Sequence, residues 1–98
     1  MPGYAQRHLG RIQAVKFLLR INNLLDATSF EDLRNVPGHF HELTANRKGE
    51  WAFSLNEPYR LIVTPSKRPI PMNENGRFVW SEIRSAIVVE IVNYHHER

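Results

Sequence analysis

Residues 51–64, WAFSLNEPYRLIVT, contain the pattern that decides the fold. In the first half, apolar side chains alternate with small or polar ones, which is the period of a strand with one buried face. Asn56-Glu57-Pro58 interrupts that pattern and predicts a turn, because proline presets the backbone angle φ that turns require. Residues 59–64 predict a second strand, whose alternation places Arg60 on the face opposite Leu61. The stretch therefore predicts an antiparallel hairpin.

Further strands are predicted on both sides of this hairpin. Residues 39–44 predict a strand that leads into it through the turn Asn46-Arg47-Lys48-Gly49. Residues 65–80 are rich in proline, glycine and asparagine and predict an exposed loop, with one helical turn expected at 80–83. Residues 86–94 are dense in β-branched side chains, which favours a central strand covered on both faces.

The N-terminal third of the chain has helical periodicity instead. Between residues 4 and 25 an apolar stripe recurs at helical spacing, with polar side chains on the opposite face. The stripe contains Ala14, Phe17, Leu18, Ile21, Leu24 and Leu25, and the polar face contains Gln13, Lys16, Arg20 and Asn23. Thr28-Ser29-Phe30-Glu31 has the form of a capping box and predicts a short second helix through about Arg34. The predicted fold is α+β, with N-terminal helices packed on one face of a twisted antiparallel sheet of three to four strands.

Length and composition narrow the class of protein. The 98 residues predict one domain, 1–98, and 42% hydrophobic residues are typical of a globular chain. The chain has no cysteine, which excludes disulfides and thiolate metal sites. No apolar run is long enough to span a membrane and the first residues lack a signal-peptide pattern, so we expect a cytoplasmic protein. The net charge of +3 suits a polyanionic partner such as nucleic acid.

Four blocks of sequence between Val15 and His95 follow one another at a distinctive spacing. They are FEDLRNVPG (30–38), HELTANRKGEW (41–51), NEPYRLI (56–62) and VEIVNYH (89–95). Together they resemble the HigB-like branch of the RelE/ParE toxin superfamily, the plasmid-maintenance killer proteins. The resemblance implies a RelE-like fold and the toxin of a type II toxin–antitoxin system, a ribosome-dependent mRNA endonuclease that inhibits translation. The implied partners are the ribosome, mRNA and a HigA-like helix-turn-helix antitoxin, through which alone the toxin would contact operator DNA; no cofactor and no membrane are implied.

The sequence departs from the family pattern at two points. The family usually begins with an extra strand, for which this sequence has no counterpart. Ser54 occupies a position where some HigB-like toxins have an arginine. If that arginine contacts phosphate in those toxins, another cation must do so here.

Cleavage of RNA through its own 2′-hydroxyl needs groups that move protons and cations that stabilise the charge on phosphorus. Arg60 matches the family's aromatic–arginine pair, and the resemblance implies that it binds the phosphate; a strand salt bridge with Glu90 is the alternative. His95 directly follows the last predicted strand, where the resemblance implies a histidine that transfers a proton or contacts phosphate. Tyr94 is a rival for this task, since some RelE relatives use a C-terminal tyrosine, and Lys48 is a further candidate cation.

Other candidates have two interpretations. Arg47 and Lys48 lie in a predicted turn, where they either contact the RNA backbone or are solvated. Trp51 offers a ring for stacking on a base, but its alternation with the apolar residues of its strand favours the core. His39 and His41 share a predicted strand face and could bind zinc together with His95 or His96, but no acidic or cysteine partner has a suitable spacing, so no metal site is expected.

Two functions are compatible with these residues. The first is the mRNA endonuclease, favoured by Arg47, Lys48, Arg60 and His95 because a binding-only protein does not need them. The second is a non-catalytic interaction protein of the same fold: a ParE-like inhibitor of DNA gyrase, or a decayed toxin that only binds antitoxin. The absence of the family's first strand favours the second.

Overall fold

The computed structural model describes the backbone of residues 2–93 and the side chains of residues 14–93. One long helix, α1 (Pro2–Asp26), precedes a sheet of four strands: β1 (His41–Glu42), β2 (Trp51–Ser54), β3 (Tyr59–Pro65) and β4 (Ala86–Asn93). Short 3-10 helices occur at Phe30–Asn35, Ala45–Arg47 and Trp80–Glu82. The sheet is open and antiparallel, with the strands in sequence order. The predicted α+β class is confirmed, with one α-helix rather than several.

The main core lies between α1 and one face of the sheet. Phe17 of α1 and Leu33 of the first 3-10 helix pack with alternate residues of β2 and β3. The strand residues of this cluster are Trp51, Phe53, Leu61 and Val63. The period of two that predicted the hairpin therefore corresponds to the face that meets the helix.

The opposite face of the sheet, which we call the outer face, consists of His41, Ala52, Ser54, Arg60, Ile62, Thr64, Ile87, Glu90 and Val92. Three of these residues, Ala52, Ile62 and Val92, form a small buried cluster to which Leu43 is added from the connection after β1. Because of this cover, β2 is buried on both faces and is not the half-buried strand that its alternation predicts. The turn at 56–58 and the opposite orientations of Arg60 and Leu61 are as predicted.

β4 is an edge strand, so its predicted central position is wrong. It pairs with β3 alone among the described residues, and Ile87 is 52% exposed, with Val88 and Val89 also largely exposed. Its pairing with β3 contains a register shift at Ile62/Val63. A run of β-branched residues indicates strand conformation, but the number of neighbouring strands depends on the rest of the chain.

Two local predictions in the N-terminal half are also corrected. Arg20, predicted on the polar face of α1, is only 5% exposed, whereas Leu25 of the predicted stripe is 76% exposed. The capping box does not form: the Thr28 amide donates to the Asp32 carboxylate at 2.8 Å, one residue beyond Glu31. The strand predicted at 39–44 shortens to His41–Glu42, because positive φ angles at His39 and Ala45 bend the backbone on either side.

No helix among the described residues has both the length and the apolar character needed to cross a membrane.

Candidate nucleic-acid interface

Arg60 lies on the outer face, in one row with Ser54 of β2 and Val92 of β4. Its Nη1 donates to Glu57 Oε2 at 3.2 Å and to the Tyr59 carbonyl at 3.3 Å. The side chain of Arg60 is 15% exposed and that of Glu57 is 71% exposed. The turn before β3 therefore brings Glu57, three residues earlier in the chain, within ion-pair distance of Arg60.

Arg47 is the residue that binds Glu90. Its Nη2 donates to Glu90 Oε2 at 2.5 Å and its Nη1 to Glu50 Oε1 at 2.6 Å. Hydrogen bonds to Glu90, and then to Glu50, raise the pKa of the Arg47 guanidinium above its ordinary value. This ion-pair network fastens the connection between β1 and β2 across the outer face to β4. Arg47 was predicted to contact RNA, but both of its terminal nitrogens already donate to carboxylates.

Lys48, the next residue, is exposed, and its side chain has no hydrogen bond or ion pair with any described residue. The turn that carries it is held on the outer face by the Thr64 hydroxyl, which donates to the Gly49 carbonyl at 2.8 Å. Arg68 Nη2 donates to the same hydroxyl oxygen at 3.0 Å. Thr64 is four residues along β3 from Arg60, or about 13 Å in an extended strand. The outer face thus has Arg60 at one end and Lys48 and Arg68 at the other.

The predicted base-stacking role of Trp51 is wrong. Its ring is fully buried and packs edge-on against Phe30 and Trp80, so it offers no face to a base. Core packing, the alternative favoured by the alternation of β2, is the role that the structure supports. Its indole Nε1 is buried without a hydrogen-bond partner.

Tyr94 and His95 lie outside the described residues. The last residue of β4, Asn93, pairs with Tyr59, so the described part of β4 ends beside the residue that precedes Arg60. The structure therefore shows the strand pairing that leads up to these two candidates and nothing of the candidates themselves.

The two candidate histidines of the predicted first strand lie together. The rings of His39 and His41 stack with their centroids 4.5 Å apart, and His41 Nδ1 is 2.7 Å from the His39 carbonyl oxygen. Within residues 14–93, no three His, Cys, Asp or Glu side chains are arranged to hold a metal ion.

Arg20 contacts β2 from the side of the sheet opposite the outer face. It was predicted on the polar face of α1, but it is buried in the structure. Its Nε donates to the Ser54 carbonyl at 2.9 Å and its Nη1 to Asn23 Oδ1 at 3.2 Å. Its guanidinium also lies over the Phe53 ring, 5.4 Å from the centroid. Burial lowers the pKa of Arg20, yet an arginine remains charged at neutral pH. Its position three residues after Phe17 was the available signal, since i and i+3 share a helix face.

Comparisons with protein-family models, with curated proteins and with solved structures found no match to this chain. The HigB-like resemblance therefore rests on the four blocks of sequence.

Proposed function

We propose that this protein is a HigB-like toxin, a cytoplasmic mRNA endonuclease that acts on the ribosome and is neutralised by a helix-turn-helix antitoxin. The observation that carries the proposal is Arg60 on the sheet face turned away from α1, in the position that the resemblance assigns to a phosphate-binding arginine. Lys48, exposed on a turn held to the same face, adds a positive charge for the RNA backbone. Both cations are suited to a polyanionic substrate.

In the proposed reaction the RNA 2′-hydroxyl gives its proton to water, and its oxygen attacks the adjacent phosphorus. A 2′,3′-cyclic phosphate forms and the bond from phosphorus to the 5′-oxygen breaks. The Arg60 fork would stabilise the negative charge that accumulates on the phosphoryl oxygens. A substrate phosphate can replace Glu57, because the Glu57 side chain is 71% exposed and water solvates its carboxylate when it leaves Arg60. His95 would give a proton to the departing 5′-oxygen. It follows Asn93, the last residue of β4, by two residues, a length of chain that spans at most about 7 Å.

Dependence on the ribosome follows from the small number of acid–base groups. When proton transfer is weakly catalysed, alignment of the reacting atoms has to supply more of the rate. We expect purified protein to cut mRNA on programmed ribosomes, with new 5′ ends inside translated codons, and to leave the same RNA intact in free solution. The test is mapping of RNA ends with and without ribosomes. Efficient cleavage of the free RNA would disprove the ribosome dependence.

His95→Gln should abolish ribosome-dependent cleavage while Tyr94→Phe leaves most of it. Glutamine retains a polar side chain of similar reach but cannot exchange a proton near neutral pH, whereas phenylalanine retains the aromatic ring. The measurement is the rate of mRNA cleavage by each purified variant on programmed ribosomes. The reverse pattern, with cleavage intact in His95→Gln and lost in Tyr94→Phe, would assign the proton transfer to tyrosine.

The second candidate is a non-catalytic protein that only binds antitoxin or inhibits gyrase. It is favoured by the neutralisation of Arg47, since both of its terminal nitrogens donate to carboxylates. Folded protein that fails to cut mRNA on ribosomes, yet binds the product of an adjacent helix-turn-helix gene or inhibits DNA supercoiling, would support this function instead.

A further inference from the structure

A cleft of about 330 Å³ lies between the loop that follows β3 and the segment that precedes β4. The side chains at its wall that bear charge are Lys67, Arg68, Glu82 and Arg84. Three positive side chains and one carboxylate give the lining a formal charge of +2. No step of the proposed reaction uses this cleft.

The positive charges of the cleft are not balanced by the protein. Lys67 and Arg84 have no hydrogen bond or ion pair with any described residue, and the bond that Arg68 makes goes to the uncharged Thr64 hydroxyl. By contrast, Arg34, Arg47 and Arg60 each pair with a glutamate. Like charges gathered at one concave surface raise the local potential for anions. An anionic ligand would supply the missing counter-charge.

The polar groups of the cleft favour a phosphoryl group in particular. Ser85 at the wall shares a hydrogen bond with Ser66, with their hydroxyl oxygens 2.5 Å apart. Since one hydroxyl of such a pair donates to the other, the second retains a proton for another acceptor. Arginine presents a planar fork that matches two phosphoryl oxygens, and lysine acts as a point charge. A lining charge of +2 also matches the charge of a phosphate monoester better than that of a carboxylate.

The loop is preorganised to hold these cations in place. Pro65, Pro69 and Pro71 line the cleft on either side of Lys67 and Arg68, and each proline ring restricts the backbone. A restricted backbone loses less conformational entropy when a ligand is bound.

We propose that this cleft binds a phosphoryl group, either free or in the backbone of an RNA. Arg68, which bonds Thr64 on the outer face, connects the cleft with the end of that face where Lys48 lies. An RNA strand across the outer face would therefore reach the cleft. The proposal does not require Arg60 to be catalytic, so failure of cleavage and failure of phosphate binding are separate results.

The test is a calorimetric and NMR titration of the purified full chain with inorganic phosphate, adenosine 5′-monophosphate and a short single-stranded RNA. Arg84→Gln and Lys67→Gln are compared with Lys16→Gln, which removes a charge from α1 away from the cleft. All three substitutions replace surface side chains and should alter stability little. Thermal unfolding of each variant verifies this.

We expect at least one of the three ligands to bind with amide shifts at residues 66–71 and 82–85. Each cleft substitution should weaken that binding about tenfold, and Lys16→Gln should leave it unchanged. Saturation by phosphate or the monophosphate would identify a free ligand. Binding of RNA alone, with a salt slope reduced by about 0.7 per substitution, would identify a backbone phosphate. Absence of binding by all three ligands, or affinities of Arg84→Gln and Lys67→Gln equal to that of wild type, would overturn the proposal.

Discussion

Arg60→Ala should abolish growth arrest on induced expression and lower the rate of mRNA cleavage on ribosomes about 100-fold or more. Loss of one group that stabilises transition-state charge typically costs this much. Arg60 is the one arginine within the four described strands, and Ser54 opposite it carries only a hydroxyl. Arg47 is a poor substitute because it is bound by Glu50 and Glu90. The effect should therefore be larger than that of removing Lys48.

The experiment compares Arg60→Ala with Arg60→Lys and Arg77→Ala, with growth and mRNA 5′ ends measured together. Lysine retains the charge but not the planar fork, so we expect intermediate cleavage. Arg77 is exposed in the loop after β3 and serves as the matched control with wild-type activity. Because the Arg60 side chain is largely buried, denaturant unfolding must show that each variant is folded. A folded Arg60→Ala protein that cuts at the wild-type rate would remove Arg60 from the reaction.

Gly38→Ala should lower the free energy of unfolding by about 3 kcal/mol. Gly38 has φ +119°, a conformation that residues with a Cβ rarely adopt. A Cβ built there would lie 2.8 Å from both Arg20 Nε and Phe53 Cε1. Neither neighbour can move freely, since Arg20 is bonded to Ser54 and Phe53 is buried in the core. Backbone strain and a steric clash therefore add together.

Gly76→Ala is the matched control for this effect. Gly76 also has a positive φ, +79°, but nothing lies within 4 Å of the position of its Cβ. We expect Gly76→Ala to lower the free energy of unfolding only by the cost of backbone strain, about 1 kcal/mol. Denaturant unfolding of both proteins measures the difference. Equal losses of unfolding free energy in the two variants would show that Arg20 and Phe53 move away from the new Cβ without a cost in stability.

The hairpin of β2 and β3 was determined by the sequence alone. Alternation fixes which side chains share a face, and the turn at 56–58 fixes the pairing, so the orientations of Arg60 and Leu61 followed from local information. The long helix α1 was likewise predicted from the helical spacing of its apolar side chains. Local periodicity is sufficient where neighbouring residues decide the conformation.

Only the tertiary structure decided which sites those elements form. The edge position of β4 depends on how many strands pair with it, and the inward orientation of Arg20 depends on the Ser54 carbonyl, 34 residues away. Arg47 binds Glu90, 43 residues along the chain. The unbalanced cations at 67, 68 and 84 meet because the two ends of a long loop return to adjacent strands. Each of these contacts joins residues that are distant in sequence, where periodicity carries no information about distance in space.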